Sequence, residues 1–151
     1  MSLGTKTSRG ILMISEKIRE AVRLMEAQTD RFTTLIPLPD DTTIQYVEHK
    51  IGLKLPEDYR YLVQNAGNIV LTKELLYLRA DSEGRCNILP SIASARDSGL
   101  PTDWLPICRD NNDYYCLLPD GSVELWSHDQ IFEGHWSDLS DWVVDSFING
   151  N

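Results

Sequence analysis

At Gly67 the spacing of apolar residues changes, and few folds accommodate both halves of the pattern. Before it, apolar side chains recur every three or four residues, the period of a helix with one buried stripe. Ile14, Ile18, Ala21, Val22 and Met25 predict an amphipathic helix over residues 11–28. Asp40-Asp41-Thr42-Thr43 supplies N-cap side chains for a second helix, because a short side-chain oxygen there accepts from an otherwise orphaned backbone N–H. Its apolar face is Ile44, Val47 and Ile51, and Gly52 suits a left-handed cap at its end. A third helix is expected from Pro56, whose fixed φ suits a first turn. Glu57 and Asp58 lie at the positive end of its dipole, Tyr59, Leu62 and Val63 face inward, and Gly67 stops it.

After Gly67 the apolar residues fall into short runs separated by turn residues. The runs predict strands over residues 74–79, 87–89, 104–109, 113–118, 122–126 and 131–136, with 91–98 a short helical or turn segment. Pro119-Asp120-Gly121 between two apolar runs reads as a hairpin turn. Strands this close leave no room for crossover helices, which argues for antiparallel pairing. Ser137 is the expected cap of a last helix that packs Leu139, Trp142, Val143 and Phe147 on the sheet. The expected class is α+β: N-terminal helices, an antiparallel or mixed β-sheet and a C-terminal helix packed on the sheet. Residues 1–10 read as a flexible leader and residues 11–151 as one domain. With 151 residues, 42% of them hydrophobic, the chain can bury a core without staples.

Charge is distributed unevenly along the chain. The net charge is −9, yet through Arg96 the balance is 13 basic to 12 acidic residues. Beyond it stand eleven acids and one base, Arg109. A field of this sign repels phosphate backbones and steers basic partners, so no nucleic-acid partner is expected. No apolar run approaches the roughly 20 residues of a membrane span, and no membrane partner is expected either. The first ten residues lack a secretory hydrophobic core. Cys86, Cys108 and Cys116 are odd in number, widely spaced and free of a CxxC pattern. Both features point to a reducing, cytoplasmic location, with Cys108 and Cys116 as buried, inert thiols.

A search for reactive groupings returns little. The sequence has no HExxH, no Gly-x-Ser-x-Gly elbow and no Walker loop, so no catalytic residue, cofactor or metal is expected. His128, Asp129, Glu133 and His135 invite a reading as metal ligands, but in one strand positions 128 and 135 point to opposite faces. Asp110-Asn111-Asn112-Asp113 lacks the glycine and glutamate of a calcium loop and reads as a turn. Trp104, Trp126, Trp136 and Trp142 occupy core-like positions. Tyr114 and Tyr115 are adjacent in a strand, so one is expected to face outward. That ring, flanked by Asp110 and Asp113, is the first expected partner contact; Asp129 and Glu133 complete the candidate contact set.

Two blocks carry a family likeness. Residues 51–62, Ile-Gly-Leu-Lys-Leu-Pro-Glu-Asp-Tyr-Arg-Tyr-Leu, continue to Asn65-Ala66-Gly67. Trp104-Leu105-Pro106-Ile107-Cys108 is followed by Asp113-Tyr114-Tyr115-Cys116-Leu117, Gly121-Ser122-Val123 and His128-Asp129, with Leu139-Ser140-Asp141-Trp142 closing the series. Their order resembles the SUKH superfamily, which includes fungal cell-wall-synthesis regulators and bacterial immunity proteins that neutralise polymorphic toxins. The resemblance implies an α+β fold and a non-enzymatic binding role, and transfers no catalytic residue. With the acidic final third, it leads to the expectation of an immunity protein that binds and blocks a toxin domain with a basic face, such as a nuclease. The alternative is an intracellular scaffold or regulator of the same fold with a non-toxin protein partner.

Overall fold

The Ser15 hydroxyl oxygen accepts from the Ile18 amide at 3.1 Å and so caps α1 (Glu16–Glu26). This is seen in a computed structural model that describes residues 14–127 and 134–151. Ile14 lies ahead of α1, so the helix begins later than its periodicity suggested; residues 1–13, including the expected leader, are outside the described residues. Asp40 caps α2 (Asp41–Ile51) by accepting from the Thr43 amide at 2.8 Å, and Gly52 ends it with φ +74°. That left-handed conformation strains any residue with a Cβ. Pro56 is the N-cap of α3 (Glu57–Ala66), one position ahead of the first turn it was expected to occupy.

Two short strands that the periodicity did not reveal come next in the architecture: β1 (Phe32–Thr33), between the first two helices, and β2 (Ile69–Val70), just after α3. They are followed by β3 (Glu74–Leu75), α4 (Ile88–Asp97), β4 (Leu105–Asp110), β5 (Asp113–Leu117), β6 (Val123–Trp126) and β7 (His135–Trp136). Among the described residues they form one seven-stranded sheet in sequential order, antiparallel at every pairing. The strand expected over 74–79 stops at Leu75, because Tyr77 turns its backbone to Cys86 and Ile88 at 2.8 and 2.9 Å.

Residues 87–89 were expected to be a strand and are instead the start of α4. The Asn87 side chain accepts from the Leu89 amide at 3.1 Å, a local bond that makes it a helix cap. The segment's β contact is an isolated parallel bridge between Tyr77 and Asn87. The last helix, α5 (Leu139–Trp142), is capped by Asp138 and not Ser137, with Asp138 accepting from the Asp141 amide at 2.8 Å. It passes directly into a π-helical stretch, Val143–Ile148. Lys73 fastens that stretch to the β2–β3 turn, donating from Nζ to the Ser146 carbonyl at 3.1 Å.

The core lies where α1, α3 and α5 meet the sheet. Ile18, Met25, Tyr59, Leu62, Trp142 and Phe147 are fully buried there. Trp142 sits 5.4 Å from the Tyr115 ring and 5.9 Å from Phe147, distances typical of favourable aromatic pairs. Trp136 extends the cluster, 5.7 Å from Tyr115, and donates from Nε1 to Asp145 at 2.8 Å.

The bond from Trp136, followed by one from Asn151, holds the Asp145 carboxyl below its ordinary pKa. A lowered folded-state pKa contributes stability above the unfolded value, near 3.9, that is lost as the pH falls through the folded value. Asp145→Asn is therefore expected to leave the urea midpoint less dependent on pH below about 4 than in the parent chain. Parallel melts at pH 6 and pH 3 measure this; equal pH slopes in the two proteins would refute it.

Candidate functional site

The two sequence blocks that carry the family likeness converge on one groove of about 720 Å³. The loop into α3 contributes Leu53 and Leu55, and the first turn of α3 contributes Pro56 to Tyr59. The near ends of β4 and β5 supply Leu105 and Leu117, the hairpin turn adds Leu118 to Gly121, and α5 adds Leu139. Leu55, Leu105, Leu117 and Leu139 are buried and form the floor. The loop that carries Leu55 is held in place by its own amide, which donates to Glu48 Oε2 at 2.8 Å. At the turn, Gly121 takes φ +91° while its amide donates to the Leu118 carbonyl at 2.9 Å, a conformation that favours glycine.

Five carboxylates line the groove with the leucines: Glu57, Asp58, Asp103, Asp120 and Asp138. All are partly or fully exposed and so form a rim, and Lys54 is the one basic residue in the lining. Three of the five also hold the fold. Asp58 accepts from the Ser15 amide at 2.9 Å and its hydroxyl at 2.6 Å, tying α3 to the start of α1. Asp120 accepts from the Ser122 hydroxyl at 2.6 Å and amide at 3.0 Å, and these bonds lower its pKa. Burial pushes the Asp138 carboxyl upward, but Lys17 Nζ at 2.7 Å and the Asp141 amide outweigh it, and the net shift is downward. Glu57 and Asp103 accept no hydrogen bond and join no ion pair among the described residues, so their charge is uncommitted.

Tyr59 lines the same groove and is fully buried, with no hydrogen-bond partner for its hydroxyl among the described residues. Burial pushes that phenol well above its ordinary pKa, so it stays neutral. The three thiols, Cys86, Cys108 and Cys116, are free and buried, and burial raises each pKa, which suppresses the reactive thiolate. Among the described residues no three His, Cys, Asp or Glu side chains are grouped to hold a metal ion.

Of the residues singled out from the sequence, the four that are described lie elsewhere. Asp110 and Asp113 flank the β4–β5 turn, at the far end of those strands from the groove, roughly 16 Å away for five steps of strand. Asn111 between them adopts φ +57°, a conformation its short polar side chain tolerates, so the segment is a turn. Asp110 shares a cavity of about 290 Å³ with Lys73, Arg85 and Arg109, so its surroundings are not uniformly negative.

The expected outward tyrosine is corrected, for both rings are buried. Tyr115 is covered by Trp136, Trp142 and Lys73. Tyr114, on the opposite face, stacks on Trp126 in a cavity it shares with Ser94, Ala95 and Ser98 at the end of α4. The strand alternates as its period requires, but helices cover both of its faces. Asp129 and Glu133 lie outside the described residues, as does His128. His135, the one described member of that imagined ligand set, is exposed and 3.2 Å from Glu124.

The acidic count of the final third did not identify the groove, because Glu57 and Asp58 come from the balanced part of the sequence. The legible signal was the acids that flank the two family-like blocks: Glu57 and Asp58 within the first, and Asp103 and Asp120 beside the second.

Helices backing a sequential antiparallel sheet, with an anionic rim around an apolar groove, define an α+β scaffold suited to holding part of another protein. The chain belongs to the SUKH_5 family, described as SMI1-KNR4 cell-wall, whose model matches residues 16–148. Members of this family act broadly in immunity or regulation through protein partners and are generally not enzymes. A solved structure, the crystal structure of a protein from Pseudomonas syringae pv. tomato, is similar at 26% identity and a TM-score of 0.75. The match covers 87% of this chain and 99% of that one. No curated protein matches the chain. No helix among the described residues is long and apolar enough to cross a membrane.

Proposed function

We propose that this chain is a cytoplasmic, non-enzymatic immunity protein that binds and neutralises a cognate toxin domain bearing a basic face, a nuclease being the class such a face fits best. The observation that carries this reading is the groove, where five carboxylates and one lysine surround a leucine floor. Nuclease clefts attract phosphate, so an anionic surface competes for them. The rim charges speed encounter and reject acidic partners, while the apolar floor supplies affinity once water is expelled. The family's cell-wall description favours a second reading, a regulator whose partner is not a toxin.

The test is co-expression of this protein with the toxin candidate encoded beside it. Survival is expected only when both are present, with a purified complex that weakens as salt rises, because exposed charge pairs are screened. Equal killing with and without the protein, and no complex at low salt, would sink the toxin reading and leave the regulator. Asp110 and Asp113 stand as a second contact region. Asp113→Lys is expected to slow association at low salt without abolishing protection, since peripheral charges act mainly on encounter.

A further inference from the structure

We infer that the groove receives a segment of the partner protein in which an aliphatic side chain is flanked by arginines or lysines, and that Glu57 and Asp103 are the carboxylates that select it. This rests on the partner-binding role proposed above and names what the partner inserts. The volume, about 720 Å³, is that of a site for a few side chains, not for a folded domain. Its floor is leucine, which matches aliphatic groups by shape and rejects an unpaired polar one. Its rim is anionic, and charge complementarity identifies the flanking residues as cations.

The five acids are not equivalent in this role. Asp58, Asp120 and Asp138 already accept bonds from Ser15, Ser122 and Lys17, so part of their capacity is spent on the fold. Glu57, in the first turn of α3, and Asp103, exposed just ahead of β4, have every acceptor available. They come from opposite sequence blocks and meet at one groove, so a segment lying across the leucines is read from two elements at once. Arginine is favoured over lysine there, since its planar fork bonds a carboxylate through two N–H groups.

The experiment uses the full chain and an acetylated, amidated peptide, Gly-Arg-Lys-Leu-Leu-Lys-Arg-Gly, followed by amide NMR. Shifts are expected to concentrate at Leu53 to Tyr59, Leu105 and Leu117 to Gly121. A peptide with serines in place of leucines, and one with glutamates in place of the basic residues, are each expected to bind more than tenfold more weakly. Glu57→Lys with Asp103→Lys is expected to lose peptide binding and toxin protection together. The neutral pair Glu57→Gln with Asp103→Asn, which imposes no repulsion at the α3 N-terminus, is expected to weaken both by less. Circular dichroism of each variant is expected to match the parent.

Shifts scattered over the surface, or equal binding of the serine peptide, would overturn the inference. So would full protection by a lysine variant that no longer binds the peptide, which would place the toxin's docking site elsewhere. Peptide binding in the groove by a chain that protects against no toxin would instead overturn the toxin reading while keeping the groove's specificity.

Discussion

Trp142→Ala is expected to lower the folding free energy by about 3–5 kcal/mol, the range for removing a large aromatic from a packed core. Trp142 is completely buried and bridges the sheet, through Tyr115, to the π-helical stretch, through Phe147. Alanine leaves a cavity that the sheet and the π-helical stretch would have to collapse together to fill. Against a total stability of roughly 5–15 kcal/mol this is a large fraction, so a substantial drop in urea midpoint is the readout. Trp142→Phe is the informative companion. The indole N–H is buried with no partner among the described residues, so phenylalanine removes an unsatisfied donor along with some contact area. Its cost is expected to be well below that of alanine. A phenylalanine variant as unstable as the alanine one would mean that the N–H has a partner. A double-mutant cycle with Tyr115→Leu is expected to show coupling, because the two rings touch.

Asn87→Asp is expected to cost as much, about 3–5 kcal/mol near neutral pH, although it changes one atom for another of similar size. The Asn87 side chain is fully buried. Its Nδ2 donates to the Asp81 carbonyl at 2.9 Å, to Asp81 Oδ1 at 3.0 Å and to the Glu83 carbonyl at 2.9 Å, while Oδ1 caps α4. An aspartate would turn that donor into an acceptor facing three oxygens, one of them a carboxylate. Desolvation and the Asp81 charge would both raise the new group's folded-state pKa. A raised pKa means that the penalty is full at high pH and shrinks as the pH falls toward the unfolded value, near 3.9. Asn87→Ala, which leaves the oxygens unpaired but adds no charge, is expected to cost less and to show only a weak pH dependence near pH 4, through Asp81, whose lowered pKa the Asn87 bond helps to set. An aspartate variant whose deficit is the same at pH 7 and pH 4.5 would refute the assignment.

Asn87 also shows where local pattern stops being informative. Residues 87–89 have the composition of a short buried strand, and period cannot separate that from a buried helix start. The choice was made by Asp81 and Glu83, whose oxygens hold the amide and leave its other end free to cap α4. Tyr114 and Tyr115 teach the complementary lesson. Their opposite orientation followed from strand geometry, but whether each face is covered depends on Trp142 and Ala95, distant in sequence. The acids of the final third were countable from the sequence, whereas their tasks were not: Asp138 and Asp141 both pair with Lys17, and Asp145 holds Trp136.

The sequence by itself determined what neighbours along the chain can decide among themselves. That includes the helical stripes of Ile18 to Met25 and Ile44 to Ile51, the caps at Asp40 and Gly52, the hairpin turn at Asp120, the α+β class and the family. These depend on bonds and periods spanning a few residues, whose energies a short window contains. Only the tertiary structure decided which carboxylates remain uncommitted, which aromatics are covered and where the groove lies. Each of those is a sum over groups brought together from opposite ends of the chain, and no local window holds its terms.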